Sequence, residues 1–324
     1  MGRVRVLVAD DLGDNEAMEE LRRSFEDRAE ISYRRNMSRE ELLSEIPFYE
    51  VLVVRSRTEV DRELIDRARS LKLVITATHG SDHIDHHYLS RKGIDFRCVA
   101  EQANAVSELV IGLMVCVARK IPLADKLSKG GDWRKDELIG IEIRGKVIGI
   151  IGFGKIGQLV AEKASALGMR VLIYEPNMTP EKEERARRLG GVFVQIEQLL
   201  KLSDFITLHV PKTKETSKMI GREQFEMMKS GAFLINAARG DIVDEEALLE
   251  YLEKGKLGGV AIDVYSVQPP FGKAQLRRLI SDDRVVATQH IGGQTREARR
   301  GTIKAVMDLL EEFLRSKEVS LQRP

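Results

Sequence analysis

Cysteine is nearly missing from this sequence: Cys98 and Cys116 are the only two, far apart and in no CxxC arrangement. That leaves neither a disulfide framework nor a cysteine-based zinc site, and a reducing cytoplasm is the expected home. An excess of one charge is missing too. Lys and Arg number 52 against 51 Asp and Glu, a net charge of +1, so the general basic surplus of a nucleic-acid binder is absent. No apolar run approaches the roughly 18 to 20 residues that cross a bilayer, so no membrane partner is expected. The start, Met1-Gly2-Arg3-Val4-Arg5-Val6-Leu7-Val8-Ala9, reads as a buried strand without the charged, apolar, small-residue order of a cleaved leader. Internal repeats, low-complexity tracts and disordered linkers are lacking as well. What is present is length and charge of both signs. The 324 residues suggest two domains at roughly 150 residues each, and the 32% charged residues, against about 25% on average, suit surface ion-pair networks in a heat-stable protein.

Short β-branched runs alternate with polar helical stretches over the first hundred residues. Strands are expected at Val4 to Ala9, Val51 to Arg55 and Leu73 to Thr76, with a weaker one near Ile31 to Tyr33. Ser38 and Glu41 have the spacing of a capping box, and another helix begins at Asp61. This alternation reads as βαβ units on a parallel sheet. From about Asn104 to Ile121 follows a single helix apolar around most of its circumference, expected to be buried between layers or subunits. A second series has strands at Val147 to Ile151, Arg170 to Tyr174, Asp204 to His209, Ala232 to Asn236, Gly259 to Asp263 and Arg284 to Ala287. Six strands with helices between them match a doubly wound dinucleotide fold. A last helix, about Gln294 to Ser316, can return to pack on the first unit.

Gly152-Phe153-Gly154-Lys155-Ile156-Gly157 is a GxGxxG directly after an apolar strand and at the start of a helix. Glycine permits the tight turn first, then the approach of a pyrophosphate to the backbone, then close helix-strand packing. The helix N-terminus offers N–H groups to the phosphates. Eighteen residues after Gly157, at the end of the next strand, stands Glu175. Its carboxylate can accept from the adenosine ribose hydroxyls and repels a 2′-phosphate, which points to NAD rather than NADP.

Three more segments fall at strand ends: Asn236-Ala237-Ala238-Arg239-Gly240, Asp263-Val264-Tyr265-Ser266-Val267-Gln268-Pro269 and His290-Ile291-Gly292-Gly293. With these the chain resembles the NAD-dependent D-2-hydroxyacid dehydrogenase family over essentially its whole length. The resemblance implies two doubly wound α/β domains. A Rossmann NAD-binding domain, residues 102–291, would be inserted into a flavodoxin-like substrate domain made of residues 1–101 and 292–324. It also implies that Arg239 binds the substrate carboxylate, that His290 is the acid/base, and that Gln268 stands where the family carries a glutamate orienting that histidine. Cofactor contacts fall by the same inheritance on Pro176, His209, Val210, Pro211, Ala237, Ala238, Asp263 and Gly292. The chemistry agrees, since oxidising a 2-hydroxy acid needs a base for the hydroxyl proton and a forked cation for the carboxylate. A neutral amide at 268 orients the ring without a carboxylate's charge, so His290 is expected to titrate lower than in glutamate-bearing relatives. Formate dehydrogenases, a branch of the family, also carry glutamine here. Gln289, where relatives often have proline, is expected to affect only loop stiffness.

Substrate choice should lie in the first unit. Val53-Val54-Arg55-Ser56-Arg57-Thr58 resembles the R-S-x-T segment of D-3-phosphoglycerate dehydrogenases, and Arg55 can pair with a phosphate. Thr78-His79-Gly80-Ser81-Asp82-His83 matches the family's glycine loop, with Thr78 where glycine is usual, and its Gly-Ser-Asp-His piece resembles the formate dehydrogenase version. Substrate contacts are thus expected from Arg55, Ser56, His79, Gly80 and Asn104. His83, Asp85, His86 and His87 have a spacing that metal ligands could use, but they also read as surface histidines at a helix start, and no metal is expected. Trp133 lies in a loop that in relatives packs on a neighbouring subunit, so a homodimer through the NAD domains is expected; a simple core anchor is the alternative. Among activities 3-phosphoglycerate oxidation ranks first, then glyoxylate or hydroxypyruvate reduction, then formate oxidation. A non-catalytic NAD-responsive binding protein is the reading from another class. The final helix leaves no room for the regulatory domain that longer phosphoglycerate dehydrogenases append, so short enzymes of that kind are the nearest expectation.

Overall fold

A computed structural model of the protein describes residues 3–78 and 80–321. Two compact units emerge, one from Met1–Gln102 with Gly293–Pro324 and the other from Ala103–Gly292. Both boundaries fall one residue later than the sequence suggests. Gln102 stays with the first unit because its amide donates to the Ala77 carbonyl at 3.2 Å and to Thr302 Oγ1 at 2.9 Å. Gly292 stays with the second because its N–H donates to Asp263 Oδ2 at 2.9 Å.

The first unit has five parallel strands: β1 (Val4–Val8), β2 (Ala29–Tyr33), β3 (Val51–Val54), β4 (Leu73–Thr76) and β5 (Asp95–Cys98), in the order β2-β1-β3-β4-β5. This is the flavodoxin-like winding. Near-continuous Val, Ile and Leu in the central strands follow from burial on both faces. Val6, Val8, Val53 and Ile75 point to one side, under Leu21, Ile303, Val306 and Leu310. Leu7, Leu52, Val54 and Val74 point to the other, under Leu42, Ile46, Leu64 and Leu89. The closing helix Arg296–Leu321 thus completes one face of this sheet. Ser38 and Glu41 form the capping box: Glu41 N–H donates to Ser38 Oγ at 3.3 Å and Ser38 N–H to Glu41 Oε2 at 2.8 Å.

The second unit has seven parallel strands rather than six: β6 (Val147–Ile151), β7 (Arg170–Tyr174), β8 (Val192–Phe193), β9 (Phe205–Leu208), β10 (Ala232–Asn236), β11 (Leu257–Ile262) and β12 (Val285–Ala287). Their order, β12-β11-β10-β9-β6-β7-β8, is the Rossmann winding with one strand added at an edge. The added edge strand is β12, and the strand the sequence did not signal is β8, which fills the third place of the winding, is only two residues long and pairs solely through Leu172 with Val192 and Ile173 with Phe193. The long apolar helix also differs from expectation. It ends at Ala118; Lys120 adopts φ +54°, and a second helix, Ile121–Lys129, starts with Pro122 in its first turn. Proline lacks the N–H that a continuing helix would need. Val110, Leu113, Met114 and Val117 of the first helix pack against Ile148, Ile150, Val160 and Ala161. Among the described residues no helix is long and apolar enough to cross a membrane.

Candidate active site

In the second unit every strand runs the same way, so the residues after β6, β7, β9, β10, β11 and β12 line one edge of the sheet. The chain diverges between β6 and β9, which opens a crevice at that edge. Gly152, just beyond β6, has φ +94°, and a Cβ there would lie 2.6 Å from the His209 carbonyl oxygen. A Cβ on Gly157 would lie 2.2 Å from the Gly152 oxygen, whereas one on Gly154 would meet nothing within 4 Å. Two glycines therefore pull the turn tight while the third leaves room before the N-terminus of helix Lys155–Ala166. Phe153 is fully buried and Ile156 half-buried, so the motif's side chains anchor it. The N–H groups of Gly152 and Phe153 are spent on the Tyr174 carbonyl and Glu175, and the N–H groups of the helix's first turn, which have no partner within the helix, are left for a ligand. This fits a dinucleotide pyrophosphate.

Glu175 follows β7, with a side chain only 8% exposed. Burial raises its carboxyl, but N–H donors from Phe153 at 2.8 Å and Asn177 at 2.9 Å, with Lys182 Nζ at 3.2 Å, outweigh that and hold it below the ordinary glutamate value. An ionised acceptor thus stands where the adenosine ribose would lie. Lys182 escaped the sequence reading. His209 follows β9, its Nε2 3.0 Å from Thr207 Oγ1, and burial drives its imidazole down to about 3, so it is neutral at physiological pH. Val210 is half-buried beside it, while Pro211 and Pro176 are exposed on the same rim.

The Asn236 side chain, 3% exposed, shapes the loop after β10. Its Nδ2 donates to the Arg239 carbonyl at 2.9 Å, and its Oδ1 accepts from Ala238 N–H at 3.1 Å. Ala237, Ala238 and Arg239 are half-buried, and Arg239 Nη1 donates to the Ala238 carbonyl at 2.8 Å. A Cβ on Gly240 would sit 2.0 Å from Tyr265 C. The arginine loop therefore packs directly on the loop that carries Gln268.

Gln268 and His290 meet: Gln268 Oε1 lies 3.0 Å from His290 Nδ1, and Gln268 Nε2 is 3.5 Å from the Tyr265 carbonyl. With the amide oxygen facing the ring, Nδ1 is the donor, and Nε2 is the basic nitrogen of the neutral imidazole. His290 is solvent-exposed and has φ +56°, a conformation that costs about 1 to 3 kcal/mol for a non-glycine residue. Its neighbours impose it. Asp263, 1% exposed, accepts from Thr288 Oγ1 at 2.6 Å, Ile291 N–H at 2.8 Å and Gly292 N–H at 2.9 Å. The Tyr265 hydroxyl donates to the Thr288 carbonyl at 2.9 Å, and burial pushes its phenol up to about 12, so it remains a donor. Asp263 thus holds the histidine hairpin rather than facing open ligand space. Glu245 accepts from Ser266 N–H at 2.7 Å and from its hydroxyl. Thr288 and Glu245 lie in no motif and were missed from sequence, and Tyr265 stands inside a quoted segment without a role assigned; the only available signal for the first two was their position near motif residues.

Asn104, in the same unit, is exposed; its amide donates to Glu108 at 2.8 Å and accepts from Lys163 at 2.9 Å. In the first unit Arg55 and Ser56 follow β3. Arg55 is half-buried and Ser56 exposed, and Arg55 N–H donates to Asp10 Oδ2 at 2.6 Å. His79 lies outside the described residues. Gly80 is half-buried, and its carbonyl accepts from Thr78 Oγ1 at 2.8 Å, a bond that glycine at 78 could not make. The histidines after it hold the turn: His83 Nε2 is 3.0 Å from Thr76 Oγ1, and His86 Nε2 is 3.0 Å from Ser81 Oγ. Asp85 caps helix His86–Arg91.

Residues 111–292 match the sequence model of the NAD-binding domain of D-isomer specific 2-hydroxyacid dehydrogenases. The chain belongs to that family. It is 44% identical over 298 residues to a D-3-phosphoglycerate dehydrogenase of Archaeoglobus fulgidus, an alignment covering 91% of this chain and 54% of the relative. The chain therefore spans about half the length of that relative. It is 40% identical over 316 residues to a hydroxypyruvate reductase of Thermotoga maritima, covering 97% of this chain and 99% of the other. Among solved structures it resembles the D-lactate dehydrogenase of Aquifex aeolicus complexed with NAD and lactic acid, with TM-score 0.85, 28% identity and 96% of each chain covered.

Proposed function

We propose that this member of the family is an NAD-dependent dehydrogenase that interconverts a D-2-hydroxy acid and its 2-oxo acid, with D-3-phosphoglycerate as the hydroxy acid. The observation that carries the chemistry is the contact between Gln268 Oε1 and His290 Nδ1, which selects the tautomer whose Nε2 can take a hydroxyl proton. Arg239 pairs with the substrate carboxylate through its fork. The N-terminal turn of helix Lys155–Ala166, Glu175 and the turn at His209 hold the dinucleotide, and NAD supplies the hydride acceptor. His290 then holds the proton at Nε2 and returns it to the carbonyl oxygen in the reverse direction. Gly80 and Asn104 stand as further substrate contacts by the same family pattern.

Arg55 and the identity with the A. fulgidus enzyme support the phosphorylated substrate. A second reading, reduction of hydroxypyruvate, has its own support: the T. maritima relative matches almost end to end. Steady-state kinetics with 3-phosphohydroxypyruvate, hydroxypyruvate, glyoxylate and, in the forward direction, formate separates them. The phosphorylated acid is expected to have the largest kcat/KM, and a more than tenfold advantage for the unphosphorylated acids reverses the ranking.

The partner surface belongs to the same proposal. In the second unit Trp133 is 84% exposed and Ile139 75%, large apolar side chains whose burial would favour association with a second copy of the chain. Sedimentation should give a dimer for the wild type and a weaker one for Trp133→Ser. A reducing cytoplasm as the location belongs to the same proposal.

A further inference from the structure

A carboxylate beside a histidine serves in either orientation, but the amide of Gln268 has two unlike ends. With Oε1 toward the ring, 3.0 Å from Nδ1, it makes Nδ1 the donor and leaves Nε2 basic. Turned over, it would offer its NH2 to Nδ1, move the ring proton to Nε2 and leave no base there. The Tyr265 carbonyl decides between the two. It lies 3.5 Å from Gln268 Nε2, and in the flipped amide it would meet Oε1 instead, two acceptors with no proton between them. At 3.5 Å this is a long hydrogen bond, so it survives only if the peptide group Tyr265–Ser266 holds its oxygen in place.

An acid grips the other side of that peptide. Glu245 Oε1 accepts from the Ser266 N–H at 2.7 Å, and its Oε2 accepts from the Ser266 hydroxyl. Glu245 is the first residue of helix Glu245–Glu253, yet it is not needed as the cap. Asp244 takes that part, accepting from the N–H groups of Glu246 at 3.1 Å and Ala247 at 3.2 Å. The Glu245 carboxylate is therefore left to reach across to the loop beyond β11.

Two further contacts fix the same point. Lys273 Nζ donates to Ser266 Oγ at 3.0 Å, which ties the far end of the Gln268 loop back to Ser266. Gly240 backs the peptide: a Cβ there would lie 2.0 Å from Tyr265 C and 2.2 Å from Ser266 N, so the group is pressed against the arginine loop. The hydrogen bonds then run in one direction. His290 donates to Gln268, Gln268 to the Tyr265 carbonyl and Ser266 to Glu245, each polarising the next toward the carboxylate at the end. All these residues belong to the second unit.

We infer that Glu245 is a positioning residue that fixes the tautomer of His290, acting through the Tyr265–Ser266 peptide and the Gln268 amide. Where the family pattern sets a carboxylate directly against the histidine, this chain sets the carboxylate beyond an amide and a peptide group, which orients the ring without placing an anion on it. That the fixed tautomer serves proton transfer rests on the proposed function; the tautomer itself rests on the hydrogen bonds.

Two measurements on the full chain test it. In NMR spectra of histidine-labelled protein, with the His290 signals assigned by their loss in His290→Gln, the neutral ring of the wild type should carry its proton on Nδ1. Glu245→Met, which keeps the bulk but not the acceptor, and Glu245→Ala should give a mixture of the two tautomers; Glu245→Gln, which keeps an acceptor for the Ser266 N–H, should not. The second measurement is a double-mutant cycle on oxidation of D-3-phosphoglycerate or D-glycerate, whichever the wild type prefers. Glu245→Met should lower kcat by about tenfold with little change in KM. In the Gln268→Glu background, where a carboxylate has no donor end to misplace, the same substitution should cost less than about twofold. An equal loss in both backgrounds, or an unmixed tautomer in both Glu245→Met and Glu245→Ala, would show that Glu245 only supports the fold and overturns the inference while the proposed function stands. A wild-type ring with its proton on Nε2 overturns it as well, whether or not any variant folds. If the tautomers behave as expected yet neither acid is oxidised, the positioning stands and the proposed function fails.

Discussion

An amide rather than a carboxylate faces the imidazole of His290, and replacing it tests what that neighbour contributes to proton exchange. In Gln268→Glu an anion 3.0 Å from Nδ1 would stabilise the imidazolium. Reduction of the 2-oxo acid needs the protonated ring and is lost as pH rises, so its limb should move to higher pH by about one unit or more. Oxidation needs the neutral ring, and its onset should move the same way. Full pH profiles in both directions check this, and an unmoved reduction limb would show that the amide does not set its position. That Gln268 and His290 meet was legible in the sequence because a family pattern marks both. The clamp around His290, at φ +56°, was not, because Asp263, Tyr265 and Thr288 act through partners distant in sequence, one another's side chains and backbone groups, that no spacing rule reports.

The turn from β6 into helix Lys155–Ala166 is the element most completely specified by local sequence, since each glycine answers a different steric demand. Gly152→Ala sets a methyl 2.6 Å from the His209 carbonyl on a backbone with φ +94°. The turn and the end of β9 must then separate, and affinity for NADH, followed by fluorescence titration, should fall by about tenfold or more. Gly154→Ala meets open space in the protein alone, so any loss there reports the approach of the ligand rather than damage to the fold. The central strands and the Ser38 capping box were equally readable, from apolar runs and from a side chain three residues away. Edges were not. In β5, Asp95, Arg97 and Cys98 are exposed, and a charged edge strand carries little apolar signal. The break at Lys120 was hidden because the apolar pattern continues past it, and only Pro122 announced a new start.

Across the whole molecule, near-equal numbers of opposite charges become local pairs that depress carboxyl groups. The clearest is Glu311, held down to about 2 from 4.5 by Arg28 and then Arg315. Its folded value lies below its unfolded one, so the unfolded chain binds more protons between them. The stabilisation is complete above about pH 4.5 and drains away as pH falls toward 2. Arg28→Gln should therefore raise the pH midpoint of acid unfolding, followed by circular dichroism, with less effect near neutrality. That pair also joins the N-terminal stretch of the first unit to its closing helix, as does Lys317 with Glu50. The closing helix has one more consequence, in the order of events during synthesis. Ile303, Val306 and Leu310 cover Val6, Val8 and Val53, so β1 and β3 wait for a helix synthesised long after them. The stretch Ala103–Gly292, a compact unit unbroken in sequence, is synthesised in between. Until that helix arrives, one face of the leading sheet stays apolar and uncovered, which makes the unfinished chain a natural client for a chaperone.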